Sequence, residues 1–333
     1  MKIAFLSFYS GKSPRGVETY VHELGNRLSV SHDVVVYQSG RELPLAKYHC
    51  EEIPARTIKS FTLRVLARLA KNTDIVIATN GRWQSFLCRF WTLLYGRKMI
   101  IPGQSGPGFD DRFNLLCRPD AFVALTEFQK KWAVKNALGV RIEKIPNGVD
   151  PEMFNPKVKP AQIDLPKPVF LCAAGLEKAK NIDLTIKAVA GLKQGSLLVM
   201  GDGPLRQELE ELAKNLGLGG RIKFMQVDHE KMPAYFAASN VVTMAPIPNE
   251  SFGIVYLEAM ASGKPIVAGD DPIRKEIIGE AGILINPKKT EEYAAGLQKA
   301  LETNWGDLPH HQAEKFFWNK IAGQYEELFK SLK

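Results

Sequence analysis

The sequence predicts an α/β protein with two doubly wound domains, each a parallel sheet covered by helices on both faces. Three observations support this prediction. The chain has 333 residues, which is too long for one compact core. Short apolar, β-branched runs alternate with segments of helical spacing along its length. These runs are apolar almost throughout, as is typical of strands in parallel sheets that are buried on both faces.

The elements follow in order along the chain. In the first half, strands are predicted over residues 2–8, 33–38, 74–79, 98–103 and 121–126, with helical segments such as 17–28 and 61–71 between them. A turn-rich segment at 146–156 contains three prolines and an Asn-Gly pair, and marks a boundary. The alternation then restarts, with strands predicted over 168–175, 196–203, 222–227, 241–246 and 265–270. We therefore predict domains over 1–149 and 150–315, followed by a terminal helix over 316–333. Ligands in such folds bind beyond the carboxyl ends of the strands, so the cleft between the domains is the expected active site.

Composition excludes several classes of protein. Apolar residues make up 45% of the chain and charged residues 24%, as in an ordinary globular protein. The four cysteines lie far apart, which argues against a zinc site or disulfide framework and fits a reducing cytosol. No apolar run is long enough to span a membrane, and the first is too short for a signal peptide. We expect a cytoplasmic protein.

Charge is unevenly distributed. Residues 1–150 hold 22 Lys and Arg against 13 Asp and Glu, whereas residues 151–333 hold 22 against 23. The first half therefore either contacts something anionic or has a solvated basic surface. Segment 82–98 has aromatic and apolar residues at near-helical spacing with arginines around them, which suits an anionic membrane surface on the inner face. The alternative is an ordinary helix that faces the core. No nucleic-acid recognition motif is present.

Two glutamates flank a Ser-Phe-Gly turn in the stretch PNESFGIVYLEAMASGKP, residues 248–265. The prolines keep the preceding segment extended, so a helix is predicted to start at about Ser251 or Phe252 and to end at Ala261. Its first amides form an anion site, which Gly253 lets a ligand approach closely. Glu258, inside an apolar run, lies about 9 Å further along the helix, and Glu250 stands before it. This spacing fits a nucleotide sugar. The alternative is that Glu250 only favours the helix start and Glu258 reaches solvent.

This stretch resembles the donor-site signature of retaining GT-B glycosyltransferases of the "glycosyl transferases, group 1" kind. In that family two glutamates are separated by seven residues and followed by a Glu-Ala-Met-Ala-x-Gly-x-Pro run. IPNGVD (145–150), VMGDGP (199–204) and EIIGEAGILINP (276–287) match other parts of the family pattern. The match is weaker in the first half. The resemblance implies the GT-B fold, with two Rossmann-like domains and a terminal helix that crosses back to the first.

The resemblance also implies roles for single residues. Glu258 would bind the ribose hydroxyls of the donor nucleotide, and Glu250 would bind hydroxyls of the donor sugar. Lys180 would stabilise the leaving diphosphate, so Lys180 and Glu250 are the candidate catalytic residues. The donor-binding candidates are Gly16, Val227, Ser251, Phe252, Gly253, Ile254, Val255 and Glu258. The loop around Val227 would lie near the base.

Three positions depart from the family pattern. Gly175 stands where an arginine is usual, so one positive charge is missing unless Lys178 or Arg15 supplies it. Arg15 itself stands where a first glycine is usual, before the matching Gly16. The loop IIPGQSGPG lacks the family's histidine, whose contact would be absent or made by Gln104 or Ser105.

We predict a metal-independent enzyme without a cofactor, because no Asp-x-Asp triplet occurs in the chain. The spacing around Gly11-Lys12-Ser13 does not fit a phosphate-binding P-loop, and GDGP (201–204) does not continue as a dinucleotide fingerprint. The predicted partners are a nucleotide sugar, best assigned as a UDP-hexose such as UDP-glucose, and a glycan or lipid-linked acceptor in polysaccharide or glycolipid assembly. The rival hypothesis is a non-catalytic nucleotide-sugar-binding homologue. A phosphorylase of the same fold is a weaker alternative.

Overall fold

The computed structural model describes residues 1–12, 16–41, 43, 45–246 and 250–333. The described chain divides into two compact units. The first unit comprises Met1–Gly148 and Trp318–Lys333, and the second comprises Val149–Phe317. Every strand pairing that the structure describes is parallel. The predicted fold class of two Rossmann-like α/β domains is therefore confirmed.

The first unit contains a seven-stranded sheet with the order β3-β2-β1-β4-β5-β6-β7. Its strands are β1 (Lys2–Ser7), β2 (Asp33–Gln38), β3 (His49–Glu52), β4 (Ile75–Ala78), β5 (Lys98–Pro102), β6 (Ala121–Ala124) and β7 (Arg141–Lys144). Its helices are α1 (Gly16–Leu28), α2 (Ile58–Arg68), α3 (Trp83–Leu94), α4 (Phe109–Leu116), α5 (Glu127–Asn136) and the terminal helix α13 (Trp318–Ser331).

The second unit contains a six-stranded sheet with the order β10-β9-β8-β11-β12-β13. Its strands are β8 (Val169–Ala173), β9 (Ser196–Met200), β10 (Ile222–Met225), β11 (Val241–Met244), β12 (Ile266–Gly269) and β13 (Gly282–Ile285). Its helices are α6 (Ile182–Ala190), α7 (Arg206–Asn215), α8 (Met232–Ala238), α9 (Ile254–Ala261), α10 (Pro272–Ile278), α11 (Thr290–Glu302) and α12 (Leu308–Ala313). Short 3-10 helices cover Lys178–Lys180, His229–Lys231 and Glu314–Phe316.

Three strands were not expected from the sequence. β3 and β7 form the two edges of the first sheet, and β13 forms an edge of the second. β3 and β7 consist of half-exposed and mostly polar residues, HCEE and RIEK. An edge strand is covered on fewer sides than a central one, so it lacks the continuous apolar run by which the central strands were recognised.

The terminal helix α13 packs against α1 in the first unit. The Tyr20 hydroxyl donates a hydrogen bond of 2.9 Å to the Tyr325 hydroxyl, and both side chains are fully buried. The indole of Trp318 lies beneath Gly148, where a Cβ atom would stand 2.5 Å from the ring. The glycine of the IPNGVD turn is therefore required by this close approach.

Helix α3 buries several polar residues and exposes five large apolar ones. Its buried face consists of Gln84, Ser85, Cys88, Trp91 and Thr92. Its outer face consists of Trp83, Phe86, Phe90, Leu93 and Leu94, which are between 52% and 67% exposed. Helix α3 thus contributes Cys88 and Trp91 to the core of the first unit and also exposes an apolar face, and docking of this face on a membrane stays a prediction.

Hydrogen bonds hold the polar inner face of α3 in place. Ser85 Oγ donates to Asn114 Oδ1 of α4 at 2.8 Å, and Asn114 Nδ2 donates to Asp111 Oδ1 at 3.3 Å. Because the buried polar groups of α3 have hydrogen-bond partners in the first unit, this face of the helix packs inward and the opposite, apolar face is exposed to solvent. No helix within the described ranges is long and apolar enough to cross a bilayer.

Candidate functional site

Four polar side chains lie beyond the carboxyl ends of strands in the second sheet. Because its strands are parallel, the carboxyl ends of β8, β10 and β11 lie along the same edge. Lys180 follows β8, His229 follows β10, and Glu250 and Glu258 follow β11. The four side chains form two pairs, Lys180 with Glu250 and His229 with Glu258.

The two candidate catalytic residues form an ion pair. Lys180 Nζ lies 2.6 Å from each carboxylate oxygen of Glu250. Both side chains are mostly buried, so water screens their attraction less than at an open surface. Asn181, which adopts a left-handed conformation with φ of 48°, donates from Nδ2 to the Ala245 carbonyl at 2.9 Å. This bond ties the lysine-bearing loop to the end of β11.

Glu258 is buried and hydrogen-bonded. The residue is 4% exposed, and its Oε1 lies 2.8 Å from Nε2 of His229. The ring of His229 packs against Phe154, with ring centroids 5.5 Å apart. The alternative that Glu258 reaches solvent is therefore wrong, and the carboxylate has the partner that burial demands.

Sequence reasoning missed His229. Its spacing to the other histidines and cysteines does not indicate a metal site, so no motif pointed to it. A usable signal was present, because a buried carboxylate requires a hydrogen-bond donor. His229 stands two residues after Val227, in the loop expected near the nucleotide base, and Val227 itself is half-buried.

Helix α9 begins later than predicted. Its first residue is Ile254 rather than Ser251 or Phe252, because Gly253 has a φ of 93°, outside the helical region. A Cβ atom at Gly253 would stand 2.6 Å from the Tyr256 ring, so the helix's own packing also requires glycine there. Within the helix, the free amides of the first turn start at Ile254 and Val255. The proline-containing segment 247–249 lies outside the described residues.

A buried arginine near this edge was also missed. Arg274 of α10 is fully buried, and its Nη1 lies 3.1 Å from Asp271 Oδ2. Burial raises the pKa of Tyr256, the positive charge of Arg274 lowers it, and the negative charge of Glu250 raises it. The charges of Arg274 and Glu250 thus have opposite effects on the pKa of Tyr256. The segment PIRKE gave no signal, because basic residues near a helix start are typical of a solvated surface.

The loop glycines differ in what they tolerate. A Cβ atom at Gly201 would stand 1.9 Å from the Ala174 carbonyl oxygen, and one at Gly203 would stand 2.7 Å from that of Leu176. The GDGP turn therefore needs glycine to pack on the loop after β8. Gly175 is different, since its Cβ would meet nothing closer than Glu177 Oε1 at 4.0 Å. The arginine position of the family pattern is thus sterically open in this chain.

The candidate residues of the first unit lie at the start of α1 and in the loop after β5. Gly16 is the first residue of α1, and Arg15 lies outside the described residues. Gln104 pairs with Asn147 through two amide hydrogen bonds, of 2.9 Å and 3.1 Å, and Ser105 is exposed. The side chain of Gln104 is therefore engaged in fixing the IPNGVD turn.

Comparison with known proteins agrees with this geometry. The family model "Glycosyl transferases group 1" matches residues 154–316, almost the whole second unit. Exopolysaccharide phosphotransferase SCO2592 of Streptomyces coelicolor is 31% identical over 64% of this chain and 23% of its own length. A GDP-mannose-dependent alpha-(1-6)-phosphatidylinositol monomannoside mannosyltransferase of Mycolicibacterium smegmatis is 30% identical over 50% of this chain and 47% of its own length. The chain thus spans less than half the length of these two relatives.

Solved structures extend the likeness to the first unit. The structure of Anabaena Alr3699/HepE in complex with UDP matches with a TM-score of 0.82 and 19% identity, covering 99% of this chain and 100% of that one. The chain therefore has the GT-B fold, and its residues 154–316 match the model of the glycosyl transferases group 1 family.

Proposed function

We propose that the chain is a retaining glycosyltransferase that moves a hexose from a nucleoside diphosphate sugar to a glycan or lipid-linked acceptor. The observation that carries this proposal is the pairing of Lys180 with Glu250 at the sheet edge where Glu258 is buried. In this proposal Lys180 offers positive charge to a diphosphate, and the carboxylates of Glu250 and Glu258 accept hydrogen bonds from hydroxyl groups. UDP-glucose or a related UDP-hexose is the first donor to test. A structural neighbour was solved with UDP, whereas a relative's name specifies GDP-mannose.

In the proposed mechanism, positively charged groups bind the diphosphate and carboxylates bind the hydroxyl groups. A departing nucleoside diphosphate develops negative charge, which a preorganised cation and helix amides stabilise. Lys180 supplies the cation, and the amides of Ile254 and Val255 supply the free N–H groups at the start of α9. When the lysine turns to the diphosphate, Glu250 accepts hydrogen bonds from sugar hydroxyls. Glu258 accepts them from the ribose. The leaving phosphate helps to deprotonate the acceptor in a front-face displacement, and no metal is required.

We further propose that the first unit docks on the cytoplasmic face of an anionic membrane to reach a lipid-linked acceptor. The outer face of α3 supports this, because large apolar side chains exposed together on one helix are typical of an interaction surface. Trp83 is among them, and tryptophan favours the interface between lipid and water.

Charge favours an anionic membrane as the partner of this surface. Segment 59–98, which contains α2 and α3, holds eight Lys and Arg and a single acidic residue, Asp74. The two helices pack against each other, and Lys59 Nζ lies 4.9 Å from the centre of the Trp83 ring. Each basic residue near an anionic surface contributes about 1 kcal/mol, so a few of them give reversible binding that weakens with salt.

The catalytic proposal is tested by incubating the purified chain with UDP-glucose, other UDP-hexoses and GDP-mannose and by following release of the nucleoside diphosphate. We expect turnover with one donor, increased by an acceptor extract, and lost in Lys180→Ala. A thermal shift with nucleotide sugars but no hydrolysis or transfer would instead favour the rival, a non-catalytic binding homologue. The departure at Gly175 is the observation that favours that rival.

A further inference from the structure

His229 and Glu258 join two separate elements of the second unit. His229 begins the 3-10 helix after β10, and Glu258 lies in α9. Their Nε2 and Oε1 atoms are 2.8 Å apart. On the imidazole, the buried ring of Phe154 packs at a centroid distance of 5.5 Å, and Phe154 packs in turn on Phe236 at 5.9 Å. The histidine is therefore held by aromatic packing while its Nε2 contacts the carboxylate.

The contact with His229 leaves hydrogen-bond acceptor sites free on the Glu258 carboxylate. An ionised carboxylate has about four lone-pair sites on its two oxygens. One contact with Nε2 leaves sites on both oxygens of Glu258 for other donors, such as the two hydroxyls of a ribose. The contact also fixes the side-chain rotamer, and a group fixed before binding loses less conformational entropy when its ligand arrives.

We propose that His229 is a positioning residue for the nucleotide, which holds the Glu258 carboxylate in the orientation that accepts both ribose hydroxyls. The inference rests on the proposed function, because it assigns a ribose to Glu258. Its effect on affinity passes through Glu258 and the ribose hydroxyls, and not through the diphosphate.

Calorimetry on the full chain tests this with three probes: uridine diphosphate, 2′-deoxyuridine diphosphate and inorganic pyrophosphate. If the wild type binds guanosine diphosphate more tightly, the guanosine pair replaces the uridine pair. His229→Ala should weaken uridine diphosphate binding about tenfold. The same change should have less effect on the deoxy nucleotide and none on pyrophosphate. His229→Gln, whose amide nitrogen can donate from a similar position, should stay within about threefold of the wild type.

A double-variant cycle separates positioning from general damage to the fold. In the Glu258→Ala background, His229→Ala should cause no further loss, because its partner is already gone. With the preferred donor, His229→Ala should raise KM and leave kcat unchanged. Additive losses, or equal losses for all three probes, would overturn the inference. If His229→Ala does not fold, His229→Asn, which keeps an amide but shortens its reach, is used with the same expectations.

The proposed function can fail separately from this inference. A wild-type chain that binds none of the nucleoside diphosphates would overturn the assignment of a donor site. A wild type that binds uridine diphosphate, together with a His229→Ala variant of equal affinity, would overturn only the role of His229.

Discussion

The carboxyl edge of the second sheet, called the donor-site edge here for its proposed role, and the outer face of α3 in the first unit use opposite arrangements of polar and apolar groups. At the donor-site edge, carboxylates are withdrawn from water and each has a partner, as in the pairs Lys180–Glu250 and His229–Glu258. On α3, the polar side chains of Gln84, Ser85 and Thr92 are buried, whereas the rings of Trp83, Phe86 and Phe90 face outward. Both arrangements oppose the usual preference for burial of apolar groups. The difference is consistent with the two proposals made above, a small polar ligand at the donor-site edge and a membrane surface at α3.

The largest expected effect is at the donor-site edge. Lys180→Ala should lower turnover about 100-fold and raise the donor KM much less, because its charge matters most as the diphosphate departs. Steady-state kinetics with the preferred donor measure this. Lys187→Ala is the matched control, since Lys187 pairs with Asp183 on its own helix. A loss of donor binding without loss of turnover would remove Lys180 from the catalytic mechanism.

The next effect concerns Asp111 of α4, which is linked to Ser85 of α3 through the side chain of Asn114. Asp111 is fully buried, and its burial raises its pKa to about 7, against hydrogen bonds from Gln129 and Asn114 that lower it. A carboxyl whose folded pKa is raised binds more protons in the folded state. The stability it contributes is therefore present at acid pH and is lost as pH rises through about 7. Between about pH 5 and pH 8 the first unit should lose on the order of 2 kcal/mol of unfolding free energy.

Denaturant unfolding at several pH values measures this loss. Asp111→Asn should flatten the pH dependence, whereas Asp33→Asn, at an exposed site paired with Lys2, should leave it intact. A wild-type chain whose stability does not fall over this interval would contradict the assignment of a buried, protonated Asp111.

A smaller effect is expected at the outer face of α3. Replacing Phe86, Phe90 and Leu94 together by serine should weaken binding to anionic vesicles about tenfold and leave donor hydrolysis unchanged. Co-sedimentation at low and high salt measures this, with Val30→Ser as the control, because Val30 is 83% exposed elsewhere in the first unit. Equal, weak pelleting with neutral and anionic vesicles would contradict the membrane proposal. Concentration-dependent dimers that the triple change abolishes would assign the face to a second copy of the chain instead.

The smallest effect is expected at Gly175. Gly175→Arg should raise kcat/KM by a few-fold or leave it unchanged, since the position is sterically open and an added cation suits a diphosphate. Gly201→Ala is the contrasting variant, because its methyl group would meet the Ala174 carbonyl oxygen at 1.9 Å. It should destabilise the second unit in thermal melts. A clear fall in kcat/KM for Gly175→Arg would contradict the expectation that a positive charge at this position favours the diphosphate.

Prediction from sequence succeeded for features that depend on residues adjacent in the chain. The central strands are continuous apolar runs, so the fold class was predicted correctly. The apolar residues around Glu258 indicated that its carboxylate is buried and needs a partner, and the structure confirms this burial. The contacts that join distant segments left no such local signal. His229 lies 29 residues before Glu258 along the chain. The periodicity of segment 82–98 showed that an apolar face exists on α3 but could not show which way it points, because that depends on the hydrogen bonds of Ser85 and Asn114.

The central claim is that Glu258 holds the ribose of a nucleoside diphosphate, and calorimetric titration of the wild type and Glu258→Ala tests it most directly. We expect affinity for the preferred nucleoside diphosphate to fall by about 1–3 kcal/mol, which is roughly ten- to a hundredfold. Glu230→Ala, at an exposed residue next to His229, should bind like the wild type. Unchanged affinity in a folded Glu258→Ala variant would contradict the claim.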